Sequence, residues 1–319
     1  MVIIGAFATQ LLQMVLVLVL APLLTGVVRK TKARLMRRRG PSVLQPYRDL
    51  LRLLHKEVVL AENASWLFRT APYLIIAATW VAAALIPTFQ TGLMFSWTAD
   101  LIVIVALLGS ARFFLALAGM DVGTAFGGIG SSREMLIAAL AEPAMLLAVF
   151  TVSLVAGSTQ LSTIANYILS DAVGLRVSLG LAMTALIMVA IAENARIPID
   201  NPATHLELTM VHEAMVLEYS GRHLAMIELA SFLKLLLYIS LISSIFVPWG
   251  LARFDGGPTE MLIGCIAYIG KLFIGAILLA AFETATAKMR VFRVPDFLGA
   301  ALMLGFLGVL LLFASGGGR

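Results

Sequence analysis

Eight apolar runs dominate this chain of 319 residues, and each is long enough to cross a lipid bilayer as a helix. A helical span needs about 20 consecutive apolar residues. The sequence is 61% hydrophobic and 13% charged, whereas a soluble domain carries about 25% charged residues. We therefore predict an all-α polytopic membrane protein with a single integral membrane domain. The eight predicted transmembrane helices lie near 2–28, 71–89, 101–119, 135–156, 176–192, 224–248, 261–281 and 297–314.

Lys and Arg are distributed unevenly between the two sets of connections that join these spans. One set holds seventeen of them and the other holds three. Connections rich in Lys and Arg stay in the cytoplasm, so both chain termini are predicted to lie outside. The net charge of +5 is then a topology signal and does not indicate nucleic-acid binding. The predicted cytoplasmic connections are 29–70, 120–134, 193–223 and 282–296.

The first cytoplasmic connection contains a helical periodicity of its own. Within 42–60, Tyr47, Leu50 and Leu54 fall on one side, and basic residues such as Arg52 lie elsewhere. This pattern predicts an amphipathic cytoplasmic helix that lies at the membrane interface. The alternative is a solvated basic segment that only sets the topology.

The run from 193 to 221 is dense in charge although it lies between two apolar spans. Polar residues beside the bilayer core are costly and usually functional, so we predict a charged helical cytoplasmic loop between helices 5 and 6 that is central to function. His205 and His212 lack the spacing of a metal-binding motif, and we predict no metal site. The acidic residues of this run and the following span are Glu193, Asp200, Glu207, Glu213, Glu218 and Glu228.

Four further ionisable residues, Arg112, Glu142, Lys234 and Lys271, fall inside predicted spans. Each costs roughly 2.5–3.5 kcal/mol at the centre of a helix, so we expect these side chains to face inward, paired or hydrated. Glu134 lies eight residues before Glu142, and this spacing turns both side chains towards one polar interior. A chain of such groups favours proton transfer. Fixed ion pairs that hold helices together are the alternative.

A glycine-rich segment, GGIGSSRE, occupies 127–134 before the fourth span. It lacks the Lys-Ser/Thr pair of a phosphate-binding loop, so we predict a flexible loop that ends in a helix N-cap at Ser131 or Ser132. The lone cysteine, Cys265, cannot hold an iron–sulfur cluster, which takes about four thiolates. Any redox centres that work with this chain are therefore expected in partner subunits.

Six motifs follow one another in a fixed order along nearly the whole chain. They are RRGPS at 38–42, LQPYRDLLRLLHKE at 44–57, FRTAP at 68–72, GSSREM at 130–135, ENARIPID at 193–200 and LEYSG at 217–221. In these motifs the chain resembles the eight-helix membrane subunit shared by respiratory complex I and the membrane-bound nickel–iron (NiFe) hydrogenases.

Departures from the complex I pattern favour one branch of this family. Where complex I continues with an acidic run, this chain reads PATHLEL at 202–208, which keeps only Glu207. The acid that complex I carries soon after its REM motif stands here later, as Glu142. The chain looks most like the membrane subunits of formate hydrogenlyase and hydrogenase-4. The altered acidic loop argues against a true quinone chamber.

The resemblance implies a non-catalytic membrane anchor and coupling subunit of an energy-converting hydrogenase in a prokaryotic cytoplasmic (inner) membrane. The cytoplasmic face would dock a NiFe large subunit and an iron–sulfur small subunit. Antiporter-like membrane subunits would pack alongside within the membrane lipid. Proton reduction in the peripheral arm would couple to proton or sodium movement, and this chain itself would bind no cofactor and no nucleic acid.

The same scheme assigns two groups of residues and no catalytic residue. The proton-path or coupling residues are Glu134, Glu142, Glu193, Asp200, Glu207, Glu213, Glu218, Glu228, Lys234, Arg112 and Lys271. The docking or loop-fixing residues are Arg38, Arg39, Gln45, Asp49, Lys56, Glu57, Arg133 and Arg196.

Three other functions fit the same sequence. A quinone-site subunit of NADH:quinone oxidoreductase (complex I) would be protected by quinone-site inhibitors. A stand-alone secondary transporter would transport when purified, although the chain shows no internal repeat of the kind that builds such carriers. In a related complex whose large subunit has lost its metal site, this chain would look the same as in a hydrogenase.

Overall fold

The structure is a computed structural model that describes residues 2–170, 176–196, 211–252, 257–286 and 293–314, with side chains from residue 6 onwards. The regular secondary structure in these ranges is helical, in agreement with the predicted class. In chain order the helices are α1 (Val2–Leu35), α2 (Gln45–Leu54), α3 (Trp66–Leu85), α4 (Leu101–Asp121), α5 (Ala125–Ala156), α6 (Leu161–Leu169), α7 (Val177–Glu193), α8 (His212–Val216), α9 (Gly221–Phe246), α10 (Pro258–Ala285) and α11 (Val294–Ala314).

Most of these helices are long and apolar enough to cross a membrane, which makes the chain a multi-pass membrane protein. Within the described ranges seven helices meet this criterion: α1, α3, α4, α5, α9, α10 and α11. The fifth predicted span corresponds to α7, whose 17 residues rise about 25 Å, against roughly 30 Å for a bilayer core. That α7 is an eighth span stays a prediction.

The bundle consists of two groups of helices, which meet where α3 packs on α4 and where α7 packs on α9. In the first group α11 packs on α5 and α7, and α4 packs on α5. In the second group α3 packs on α4 and α9, and α1 packs on α9 and α10. Small residues allow the backbones to approach closely: a Cβ on Gly308 of α11 would lie 3.3 Å from the Ser178 carbonyl oxygen of α7.

α5 begins at Ala125, ten residues earlier than the predicted start of the fourth span at 135. Thr124 caps the helix, because its hydroxyl oxygen accepts a hydrogen bond from the Gly127 amide at 3.2 Å. Ser131 and Ser132 therefore lie inside a helix. The prediction of a flexible loop with an N-cap at either serine is wrong.

The glycines of this stretch serve helix packing, which explains the difference. A Cβ on Gly127 would lie 2.1 Å from the carbonyl oxygen of Gly119, so glycine is needed where α5 crosses α4. The Ser131 hydroxyl donates to the carbonyl oxygen of Ala116 at 2.8 Å. Contacts with α4 thus hold the segment in the helix despite the unfavourable helix propensity of glycine.

α1 extends seven residues past its predicted end at 28, so its last turns carry basic residues out of the apolar bundle. We call the end of the bundle at which α1 ends and α3 begins the basic end. α2 lies within the predicted segment 42–60 and packs against the side of α1. The Tyr47 hydroxyl donates to the carbonyl oxygen of Val19. The position of α2 at a membrane interface stays a prediction.

The opposite end of the bundle contains α6, a short helix that the sequence patterns did not predict. Its residues Leu161 and Ile164 are buried against the bundle. Backbone hydrogen bonds hold this connection to the start of α4: the Leu101 amide donates to Thr159 at 3.0 Å, and the Leu161 amide donates to Ala99 at 3.1 Å. This connection is therefore a packed part of the fold.

We predict that Gly127→Ala destabilises the protein by about 1–3 kcal/mol, because the added methyl group meets the backbone of α4. The matched control is Gly128→Ala, since a Cβ at that exposed position has nothing within 4 Å. The control should be neutral or gain about 0.5–1 kcal/mol. Thermal unfolding of both purified variants in detergent measures the difference. Equal stability of the two would contradict the packing of α5 on α4.

Candidate functional site

Arg112 lies in the interior of the bundle, about 16 Å from the start of α4, with 4% of its side chain exposed. Three carboxylates surround its guanidinium group. Glu193 pairs directly with Nη2, Glu142 Oε1 lies 3.6 Å from Nη1, and Glu134 Oε1 lies 3.7 Å from Nε. Glu134 and Glu142 both reach Arg112 from α5, as their eight-residue spacing predicts.

Glu193, the last residue of α7, links Arg112 to a second cation. Its side chain is 1% exposed, and its Oε2 atom lies 2.9 Å from Nζ of Lys234. Lys234 is thirteen residues into α9, about 20 Å from the start of that helix. One network of charged side chains therefore joins α4, α5, α7 and α9. We call Arg112, Glu134, Glu142, Glu193 and Lys234 the charged cluster.

The charged cluster contains three carboxylates and two cations, so its formal charge is −1 when every group is ionised. Uncompensated charge inside a protein is costly, and one added proton removes it. Among the described residues, Nε and Nη1 of Arg112 have no hydrogen-bond partner, because the nearest carboxylates lie 3.6–3.7 Å away. The described carboxylates of the charged cluster therefore outnumber its cations by one.

The charged cluster adjoins open space on two sides. A cavity of about 50 Å³ is lined by Arg112, Glu193, Lys234 and His212, the first residue of α8. Its volume and polar lining are sufficient for water molecules. On the other side Glu142 is 44% exposed and lines a groove of about 490 Å³ between α4 and α5. The cluster therefore lies between a small polar cavity and a membrane-facing groove.

A second group of charges lies at the basic end, where α1, α7 and α10 end. Glu283 is buried, and its two carboxylate oxygens pair with Lys32 at 2.6 Å and with Arg196 at 3.2 Å. Arg196 lies three residues after Glu193 and is held there as the chain leaves α7 through Ala195, which has a left-handed φ of 50°. Glu283 therefore anchors the start of the charged loop. The sequence analysis did not identify it, because a lone acid near the end of a span shows no pattern.

The motif segment 217–221 is anchored at the basic end to Phe68 of the motif 68–72 and to Val59. The Tyr219 ring stacks on Phe68 with centroids 3.9 Å apart, and its hydroxyl donates to the Phe68 carbonyl oxygen at 3.1 Å. Burial raises the pKa of the Tyr219 hydroxyl, so it remains protonated as a donor. Ser220 exchanges two hydrogen bonds with the backbone of Val59. These contacts fix the start of α9, the helix that carries Lys234.

The remaining predicted coupling residues that the structure describes lie apart from the charged cluster. Lys271 lies on α10, beside a separate groove. Asp200 and Glu207, together with His205, lie outside the described residues. Three others are exposed or half-buried near the basic end: Glu213, Glu218 and Glu228.

The predicted docking residues lie mainly around α2 and the end of α1. Gln45 donates to Asp49 Oδ1 at 3.0 Å, and the same oxygen lies 3.6 Å from Nη2 of Arg52. Arg133 is half-buried on α5, and Arg196 is paired with Glu283. Four are exposed at the basic end: Arg38, Arg39, Lys56 and Glu57.

Comparison with known proteins identifies the family. The family model described as NADH dehydrogenase matches residues 8–314. The chain belongs to this family. It is 33% identical over 306 residues to formate hydrogenlyase subunit 4 of Escherichia coli (strain K12), which covers 96% of this chain and 98% of that protein. It is 35% identical over 282 residues to hydrogenase-4 component C of the same strain, which covers 88% and 87%.

A further relative and a solved structure are also similar to this chain. NADH-quinone oxidoreductase subunit 8 of Rhodothermus marinus is 26% identical over 284 residues, covering 80% of this chain and 79% of that protein. A solved chain of the membrane-bound sulfane sulfur reductase, an archaeal respiratory membrane complex, has a TM-score of 0.79 at 21% identity and covers 96% of this chain and 99% of that one. The structural likeness shows the fold, and the resemblance drawn from the six motifs is confirmed.

We predict that Arg112→Met destabilises the protein by about 3–5 kcal/mol, because it leaves buried carboxylates without their cation. A second change, Glu193→Gln, should restore part of this loss, since it removes one of the unpaired charges. Arg69→Met, at an exposed position on α3, is the control and should have little effect. Thermal unfolding in detergent measures all three. A stable Arg112→Met protein would show that the ion pairs contribute little.

Proposed function

We propose that this chain is the membrane anchor and coupling subunit of an energy-converting NiFe hydrogenase complex. The basic end faces the cytoplasm of a prokaryote and docks a NiFe large subunit and an iron–sulfur small subunit. Antiporter-like subunits pack alongside in the inner membrane, and both chain termini lie outside. The support for this branch is the 33% and 35% identity to proteins named for formate hydrogenlyase and hydrogenase-4.

The observation that carries the coupling role is the charged cluster. Its Glu193 ends α7 and thereby begins the charged loop, and its carboxylate contacts both Arg112 and Lys234. A displacement of the loop changes the distance from Glu193 to these cations. Because an opposite charge nearby favours the ionised form of a carboxylate, moving Glu193 away from either cation favours its protonation. Motion at the basic end is thus converted into uptake or release of a proton.

The second group of charges provides the mechanical link to the basic end. Glu283 holds Arg196, three residues after Glu193, and also Lys32 at the end of α1. A redox event in the docked subunits changes charge or loop position above these residues. Since Arg196 and Glu193 are so close along the chain, a displacement of one is transmitted to the other. Redox chemistry outside the membrane is thereby coupled to the charged cluster inside it.

Glu142 provides a second site for the proton on the proposed route. Its carboxylate is within 3.6 Å of Arg112 and is 44% exposed towards the groove between α4 and α5. It is the member of the cluster with the greatest side-chain exposure. A proton taken up near Glu193 leaves through Glu142 towards the neighbouring membrane subunits, and Arg112 supplies the fixed positive charge along this route.

Affinity purification of the tagged chain in mild detergent, followed by mass spectrometry of the co-purifying subunits, tests the proposal. We expect a large subunit that retains four metal-binding cysteines, with an iron–sulfur small subunit. An NADH-oxidising module instead would contradict the hydrogenase assignment and favour the quinone-site subunit of complex I. Recovery of the chain alone, from membranes in which it is expressed at its native level, would favour a stand-alone transporter.

A further inference from the structure

A groove separate from the charged cluster runs between α7, α9 and α10 and has a volume of about 440 Å³. α10 forms its outer wall, with its main packing on α1. It touches α9 at Gly275, where a Cβ would lie 2.7 Å from the Ile239 side chain. The groove is largely aliphatic, with a lining that includes Ile187, Leu235, Ile242, Ile274, Leu278 and Leu279.

Lys271 lines this groove near the middle of the membrane. It lies thirteen residues after Pro258 and fourteen before Ala285, so it is about 20 Å from either end of α10. Among the described residues no carboxylate lies within 4 Å of its ammonium group, and it makes no hydrogen bond. The other cation of the groove, Arg196, is already paired with Glu283.

A charge at this depth requires a partner that the described part of the chain does not supply. Ionisable residues within membrane spans pair with one another or line water-filled cavities, and an aliphatic lining does not hold water well. Lipid acyl chains offer no hydrogen-bond acceptor. Lipid headgroups lie at the membrane surface, roughly 15 Å from the middle of the hydrocarbon core. A carboxylate on another transmembrane helix supplies both a hydrogen-bond acceptor and a group at the depth of Lys271.

We propose that this groove docks a transmembrane helix of a neighbouring membrane subunit, and that an Asp or Glu at mid-membrane depth on that helix pairs with Lys271. The inference rests on the proposed function, in which membrane subunits surround this chain. Two side chains of α10 that line the groove, Ile274 and Leu278, are 60% and 64% exposed and offer apolar surface to such a helix.

Photo-crosslinking within the assembled complex tests the docking site. A photoreactive phenylalanine at Ile274 lies in the groove, whereas the same residue at Phe273 lies on the side of α10 that faces α1. We expect Ile274 to crosslink to a membrane subunit helix that has an Asp or Glu near its middle, and we expect Phe273 not to reach that helix. Crosslinks from Ile274 only to lipid, or to a helix without a carboxylate, would overturn the proposal.

Charge variants test the pairing itself. Lys271→Met should reduce retention of the crosslinked subunit in detergent roughly tenfold or more, because it leaves the carboxylate buried and unpaired. Lys271→Arg should retain the subunit, since it keeps the charge. Lys271→Glu alone should lose the crosslinked subunit in detergent. Combining it with a Lys at the acidic position of the partner helix should restore retention of that subunit. Full retention in the Lys271→Met variant would contradict the ion pair.

These outcomes are separable from the proposed function. Recovery of the unmodified chain without any membrane partner would contradict the proposed function. An assembled complex whose crosslinks avoid the groove would overturn the docking site alone and leave the hydrogenase assignment in place.

Discussion

The burial of one guanidinium group organises half of this bundle. Arginine cannot lose its charge by deprotonation inside a protein, so Arg112 must be matched by carboxylates. Two come from α5 and one from the end of α7, and the last of these, Glu193, also binds Lys234 of α9. Four helices that are separated along the chain are thereby held in one arrangement. Removing either cation leaves buried carboxylates without compensation.

The fixed charge of Arg112 also determines which groups in the charged cluster are able to change their protonation. Arg112 keeps its charge, so any change in protonation falls on the three carboxylates and on Lys234. Glu193 is almost fully buried between two cations, whereas Glu142 is half-exposed towards a membrane-facing groove. The proposed coupling uses this difference. In that proposal Glu193 responds to the loop at the basic end, and Glu142 faces the place where a neighbouring subunit would pack.

Much of the fold follows from local properties of the sequence, and the remainder depends on contacts between distant segments. Apolar runs of about 20 residues predicted the long helices, and the spacing of Glu134 and Glu142 predicted that both face the interior. The early start of α5 was missed because Gly127 is needed for a contact with Gly119 of another helix. Such a contact leaves no periodic signal, and a glycine-rich segment resembles a loop.

The candidate site likewise combines residues that the sequence identified with partners that depend on contacts between distant segments. Arg112, Glu142 and Lys234 were identified because charges in apolar spans are conspicuous. The partner that Arg112 and Lys234 share, Glu193, was placed in the charged loop, although it ends α7 inside the bundle. Glu283 was missed because its importance comes from Lys32 and Arg196, which lie on other segments of the chain. Burial and charge identify candidate residues, whereas the partners of each residue can be identified only once the fold is known.

The most direct test of the coupling role uses membrane vesicles that contain the assembled complex. It measures the number of ions moved across the membrane for each H₂ molecule produced. The informative variant is Glu142→Gln, which removes a titratable group and keeps the side-chain shape. Glu260→Gln, at an exposed carboxylate in the first turn of α10, is the matched control. The account predicts that Glu142→Gln complexes assemble and turn over but move few or no ions, while the control moves them normally. Normal ion movement by assembled Glu142→Gln complexes would contradict the role of the charged cluster in coupling.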